Sequence, residues 1–219
     1  MTSSTNLSPV GRFEKVLLAT DGSDFCVGAE RVAIALCQQQ GAHLDVVSAI
    51  IRNAVTGWMG PQADGEVEQA TNENLARVKA LAEEAGLSCA THLVEGDDPY
   101  EVIVECSRST QADVIVMGRR GRRGLARLML GDATAKVIGY APCAVLVVPE
   151  ESDMWHSILL ATDGSRFSDA AAVTAAELAK PGGLPLCVLS VKVPFHTERR
   201  QAEARSIVDR ILDYMKDHD

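Results

Sequence analysis

The chain has 219 residues and a formal net charge of −9, a length that suits one large or two small domains with a real core. The acidic balance argues against a general nucleic-acid or membrane-surface binder, which is as a rule basic. Residues Met1–Arg12 form a polar tail without an apolar signal core, and no apolar run reaches membrane-spanning length, so a cytoplasmic protein is expected.

Lys15–Thr20 reads as a short apolar strand ending in Asp-Gly-Ser. A helix follows, capped by Ser23 or Asp24, with apolar positions at Phe25, Ala29, Val32, Ile34 and Leu36. Gly41 ends it, and His43–Ile51 is the next strand. Asn53–Gly65, with Gly57, Gly60 and Pro61, is a predicted loop; its Trp58-Met59 pair is a lid, a partner contact or a fold-back onto the core. Val67, Ala70, Leu75, Val78, Leu81 and Ala85 make a helical stripe closed by Gly86. Leu87–Val94 is a third strand, and Asp98-Pro99 opens a helix with a cap and a proline at its first position. Asp113–Met117 is short and continuously apolar, the mark of a central strand. Next come a glycine-rich loop, Gly118-Arg-Arg-Gly-Arg-Arg-Gly124, a helix at Ala133–Tyr140 broken by Pro142, and a fifth strand at Ala144–Val148. This alternation predicts a doubly wound α/β domain with a parallel sheet over residues 13–150.

The heptapeptide Leu-Leu-Ala-Thr-Asp-Gly-Ser occurs at Leu17–Ser23 and again at Leu159–Ser165, an offset of 142. Phe25, Ala29 and Leu36 recur as Phe167, Ala171 and Leu178, and Leu44, Val46 and Ser48 as Leu186, Val188 and Ser190. With a last helix at Glu198–Lys216, residues 151–219 read as a truncated strand-helix-strand-helix second copy without a glycine loop. Such a half cannot bury both sheet faces and protect both edges. It is expected to pack on the first domain, pair with another subunit or stay partly disordered. Asp163, the repeat of Asp21, reads as a structural turn residue. The six cysteines show no Cys-x-x-Cys pair and the five histidines no ligand spacing, so buried free thiols and no metal site are expected.

Three strand ends meet at one edge of the predicted sheet: Thr20-Asp21-Gly22-Ser23, Ser48-Ala49 and Met117-Gly118. Ligands of open parallel sheets bind there, where the winding reverses. Glycines admit a phosphate close to the backbone, and the helix opening at Asp132-Ala133-Thr134 offers unpaired N–H groups. Arg119, Arg120, Arg122, Arg123 and Arg127 are either a phosphate clamp or a solvated loop. RNA contact lacks interleaved aromatics. Ser23 has no neighbouring histidine in sequence, so no nucleophile is assigned.

Gly118, two residues, Gly121, nine residues and Gly131, together with Thr20-Asp21 and Ala-Pro-Cys-x-Val-Leu-Val-Val-Pro at Ala141–Pro149, resemble the universal stress protein family. The resemblance spans about Phe13–Pro149 and, as a truncated copy, Trp155–Asp219. It implies a five-stranded parallel sheet of order 3-2-1-4-5, of the adenine-nucleotide alpha-hydrolase-like kind, and in glycine-loop members a bound ATP. Carried over by position, Asp21 and the backbone of Ala49 face the adenine and ribose end, beside Ala19 and Thr20. Met117, Gly118 and Gly121 line the ribose and first phosphates, flanked by Arg119 and Arg122. Gly131, Asp132 and Ala133 hold the outer phosphates through backbone N–H groups.

The family has Ser or Thr where this chain has Asp132, and a carboxylate near a phosphate costs about 1–4 kcal/mol at surface-like dielectrics. A bridging Mg²⁺, the Thr134 hydroxyl or a nucleotide with fewer phosphates would each answer this. The resemblance implies a nucleotide-sensing regulatory module acting through assembly, as a homodimer or higher homo-oligomer or with a protein partner, and the fifth strand is the family's usual dimer edge. The alternatives are a slow ATPase, against which stands Thr-Asp-Gly-Ser in place of Ser-Gly-Gly-x-Asp-Ser, and an interaction protein whose site has decayed at Asp132.

Overall fold

The computed structural model describes residues 12–51, 60–120, 130–191 and 198–217, the side chains of residues 60–64, 198–204, 215 and 217 excepted. The predicted polar tail up to residue 11 lies outside the described residues. The chain divides into two compact units, Phe13–Met154 and one that holds Trp155–Asp219. No described helix is long and apolar enough to cross a membrane.

In the first unit β1 (Lys15–Ala19), β2 (His43–Ile51), β3 (Cys89–Gly96), β4 (Val114–Gly118) and β5 (Ala144–Val148) form one parallel sheet of order β3-β2-β1-β4-β5, the predicted order. The continuously apolar strands β1 and β4 lie side by side, and Val16, Leu17, Leu18, Ile115 and Val116 are fully buried. Helices α1 (Val27–Gln40) and α2 (Gly60–Glu84) cover one face, α3 (Pro99–Thr110) and α4 (Asp132–Tyr140) the other. On the second face Leu17, Ala19, Val47, Ile115 and Met117 pack against Val102, Ile103 and Cys106 of α3 and Val137 of α4. The chain winds outward from β1 through β2 to β3, then crosses back to β4, so the winding reverses between β1 and β4.

Several boundaries shift by one or two residues, among them the ends of β1 and β3, the register of β4 and the start of α4, and three differences have clear local reasons. Asp24–Cys26 forms a short 3-10 turn before α1; the Ser23 side chain makes no cap bond there, and its hydroxyl is turned to Asp21 Oδ1, to which it donates. Helix α2 begins at Gly60, inside the predicted loop; a proline in the first turn lacks only an N–H that has no helical partner there, so Pro61 starts the helix instead of breaking it. Strand β3 starts at Cys89 rather than Leu87, since Gly86 sits at φ +79° and the Leu87 N–H donates back to Ala82 O at 2.9 Å, closing α2. The Asp98 cap appears as expected, accepting from the Tyr100 N–H at 3.2 Å.

The second unit holds β6 (Ile158–Ala161), α5 (Arg166–Ala179), β7 (Leu186–Leu189) and α6 (Glu198–Asp217), with β6 and β7 parallel. Leu160, Ala172, Ala175 and Ile211 form its core. Here Ser165 does cap its helix, accepting from the Ser168 N–H at 3.3 Å. Asp163 Oδ1 accepts from the Ser165 N–H at 2.9 Å, and this bond is the main cause that lowers its pKa.

Candidate functional site

At the carboxyl ends of β1 and β4, Ala19 and Met117 are paired neighbours, each 5% exposed. Ala49, opposite Val94, packs against the same cluster from β2. Thr20 is buried and ties three elements together. Its N–H donates to Val47 O at 3.1 Å, its carbonyl accepts from Ser48 Oγ at 2.6 Å, and its hydroxyl donates to Glu30 Oε1 at 2.8 Å. Glu30 is itself paired with Arg77 of α2 at 2.8 Å. This buried network fixes the strand end from which Asp21 projects, exposed, at the sheet edge. Nothing in the sequence spacing marks Glu30 and Arg77 as partners, 47 residues apart.

The Asp21 carboxylate accepts from the Ser23 N–H at 3.0 Å and from the Cys26 thiol at 3.3 Å. Burial pushes the Cys26 pKa up to about 11, and the nearby Asp21 charge adds to the shift. Ser23 and Cys26 are thus structural props of the Asp21 turn.

The glycine loop has a closed stem. The Gly131 N–H donates to Arg119 O at 2.9 Å, the Arg119 N–H to Val148 O at 3.0 Å, and Thr134 Oγ1 to Gly118 O at 3.2 Å. A Cβ on Gly118 would stand 2.7 Å from Phe25 O and 3.1 Å from Arg120 O; one on Gly131 would stand 3.3 Å from the Arg120 Cα. Gly118 is required by backbone packed on backbone, whereas a side chain at Gly131 would need the Arg120 backbone to give by a few tenths of an ångström. Thr134, 2% exposed, directs its hydroxyl to the stem, which removes it as the stand-in for the family's hydroxyl at residue 132. Helix α4 starts with Gly131 at its N-cap and no side-chain cap bond.

Asp132 has an 82% exposed side chain, and its Oδ2 lies 2.9 Å from Lys136 Nζ, one helical turn on. Lys136 also pairs with Asp98 at 2.8 Å and lies 5.2 Å from the Tyr100 ring centre. Hydrogen bonding to Asp98 first, and to Asp132 second, raises the Lys136 pKa. The Asp132 charge therefore has a local counter-charge. Its i,i+4 spacing to Lys136 is legible in the sequence; the third partner, Asp98, is not.

Arg119 and Arg120 line an open cleft of about 400 Å³ with Phe25, Pro149, Glu150 and Glu151, and the Arg120 guanidinium stacks 4.8 Å from the Phe25 ring centre. Gly121, Arg122, Arg123, Arg127 and the Trp58-Met59 pair lie outside the described residues.

Residues 12–149 match the universal stress protein family. The chain is 37% identical over 143 residues to a universal stress protein of Methanocaldococcus jannaschii, covering 62% of this chain and 82% of that protein. It is 36% identical over 140 residues to one of Thermus aquaticus, covering 62% and 98%. A solved universal stress protein in complex with cAMP is 26% identical, with a TM-score of 0.50 over 64% of this chain and 99% of that one. A universal stress protein structure from Archaeoglobus fulgidus DSM 4304 shares the fold with a TM-score of 0.71 at 19% identity, over 92% of this chain and 74% of that one. With the parallel sheet, the reversal between β1 and β4 and the glycine stem in place, the chain belongs to the universal stress protein family.

Proposed function

We propose that the crevice between the ends of β1 and β4 binds an adenine nucleotide, and that the chain acts as a regulatory module whose self-assembly responds to it. The observation that carries this reading is the glycine stem: Gly118 and Gly131 hold backbone close to backbone beside a helix start with no side-chain cap. The cAMP complex of a solved relative supports the adenine nucleotide.

The described residues fit such a ligand. Asp21 and the Ala49 backbone serve the adenine and ribose end, Met117 and Gly118 the ribose. The N–H groups of Gly131, Asp132 and Ala133 serve the phosphates, where the α4 dipole favours negative charge. Lys136, shared with Asp98, offsets part of the Asp132 charge, and residue 132 serves through its backbone N–H, with Mg²⁺ as the further counter-charge that the titration tests. Six free thiols fit a cytoplasmic setting.

The test is calorimetric titration with ATP, AMP and cAMP, with and without Mg²⁺, on the parent and on Gly118→Val. Adenine-dependent heat that weakens by roughly tenfold or more in the variant, about 1.4 kcal/mol, is the expected result. Absence of heat and of competition for all three nucleotides overturns the reading and leaves an interaction protein with a decayed site.

A further inference from the structure

Charge is spread unevenly along the crevice. Ala19, Met117 and Gly118, at the ends of β1 and β4, carry none, whereas the start of α4 has two carboxylates and one ammonium. Lys136 Nζ lies 2.9 Å from Asp132 Oδ2 and 2.8 Å from Asp98 Oδ2. Hydrogen bonds to both acids, Asp98 first, raise the Lys136 pKa and keep it charged. Two acids sharing one ammonium leave this end with one negative charge before any ligand arrives. Asp98 is fixed in the group by its second task, the cap of α3 through the Tyr100 N–H. The two described loop arginines, Arg119 and Arg120, line the cleft beside Phe25 and Pro149 instead.

Two donors at this end are already engaged. The Gly131 N–H is shared with Arg119 O at 2.9 Å, and the Thr134 hydroxyl is given to Gly118 O at 3.2 Å. The backbone N–H groups of the first turn of α4 remain, and the helix dipole adds to their pull on an anion. The Asp132 carboxylate stands on that same turn and opposes it.

We propose that the crevice selects an adenine nucleotide with a single phosphate group, and that the Asp98–Lys136–Asp132 group turns longer phosphate chains away. The inference rests on the nucleotide reading above and adds the phosphate count to it. One phosphate on the ribose stays at Gly118 and the loop stem, short of the acids. Each further phosphate extends toward α4 and brings negative charge against a cluster that is itself negative, and like charges a few ångströms apart repel strongly at a protein surface. The Asp132 side chain is 82% exposed, so the repulsion is screened by salt. That response distinguishes it from a limit of space.

Calorimetric titration with AMP, ADP and ATP, free of Mg²⁺ and at low and high salt, tests this on the full chain, Asp132→Ser and Asp98→Asn. The parent is expected to bind AMP about tenfold more tightly than ATP, with ADP between them, and the gap to narrow as salt rises. Asp132→Ser is expected to raise ATP affinity more than AMP affinity and so close most of the gap. Asp98→Asn keeps the α3 cap, since Asn caps a helix as well as Asp, yet it releases Lys136 to Asp132 and narrows the gap in the same direction. A parent that binds ATP as tightly as AMP overturns the proposal. So does a gap that persists in Asp132→Ser and at high salt, which would be a limit of space. Absence of binding for all three nucleotides removes the nucleotide reading itself, and this inference with it.

Discussion

Glu30 brings a carboxylate into the core with a side-chain exposure of 3%, held by Arg77 and by the Thr20 hydroxyl. Removing Arg77 leaves that charge without its partner. Because the Arg77 side chain is itself 46% exposed, solvent screens part of the loss, and Arg77→Ala is expected to cost about 1–3 kcal/mol rather than the full penalty of a dry pair. Adding Glu30→Gln should restore part of it. Urea unfolding of the single and double variants reads both effects, and a parent-like Arg77→Ala would refute them. The thiols make a second residue-scale prediction. Burial pushes Cys37 from the ordinary 9.0 up to about 12, and Cys26, Cys106 and Cys143 up to about 11. Each pKa is raised in the folded state, so the associated stability is complete below the unfolded value near 9 and is lost as pH climbs toward 11 to 12. Thermal midpoints should fall steeply from about pH 9 upward, and Cys37→Ser should lose less of its remaining stability over that span.

Among the elements, β2 and β5 have the bounds that their apolar patterns predict, His43–Ile51 and Ala144–Val148. Gly41 ends α1 in the left-handed conformation at φ +64°, as a C-cap glycine should. What the pattern hides is where a side chain does a second job. Ser23 has the sequence of a cap yet holds Asp21, while Ser165, its repeat, caps α5. Pro61 looks like a breaker and lies in a first helical turn. Of the candidate site, the strand ends, Gly118 and Gly131 are legible from spacing alone. The Thr20–Glu30–Arg77 network and the engagement of Thr134 with Gly118 are not, because both join elements distant in sequence. The turn after β6 repeats a second legible feature: Gly164 has φ +77°, and a Cβ there would clash with the Ile207 side chain of α6. Gly164→Ala is expected to destabilise the second unit by about 1–3 kcal/mol through backbone strain and overpacking. Faster amide exchange in β6, α5 and α6, with β1–β5 unchanged, is the measurement that checks it.

Over the whole molecule, every described residue proposed to meet the nucleotide belongs to Phe13–Met154. A chain cut to residues 13–154 is therefore expected to bind an adenine nucleotide as the full chain does. Removal of Trp155–Asp219 is expected to change the oligomeric state, since a two-stranded sheet leaves strand edges that need protection. Titration and sedimentation on the same sample separate the two functions. Loss of binding in the shortened chain would place part of the site in the second unit, and an unchanged sedimentation profile would deny that unit a part in assembly.

The identity of Leu17–Ser23 and Leu159–Ser165 also bears on how the molecule reaches its fold. The slot between β2 and β4 is built for Leu-Leu-Ala-Thr, and the chain carries that strand twice. During synthesis the N-terminal copy emerges first and takes the slot before its rival exists. Diluted from denaturant, both copies compete at once, and a chain that inserts β6 must withdraw it before β1 can enter. Refolding in vitro should then show a slow phase absent from residues 13–154, measurable by stopped-flow mixing after a brief unfolding pulse that leaves prolines in their native isomers. The order in which the ribosome delivers the two copies settles a competition that the equilibrium structure no longer shows.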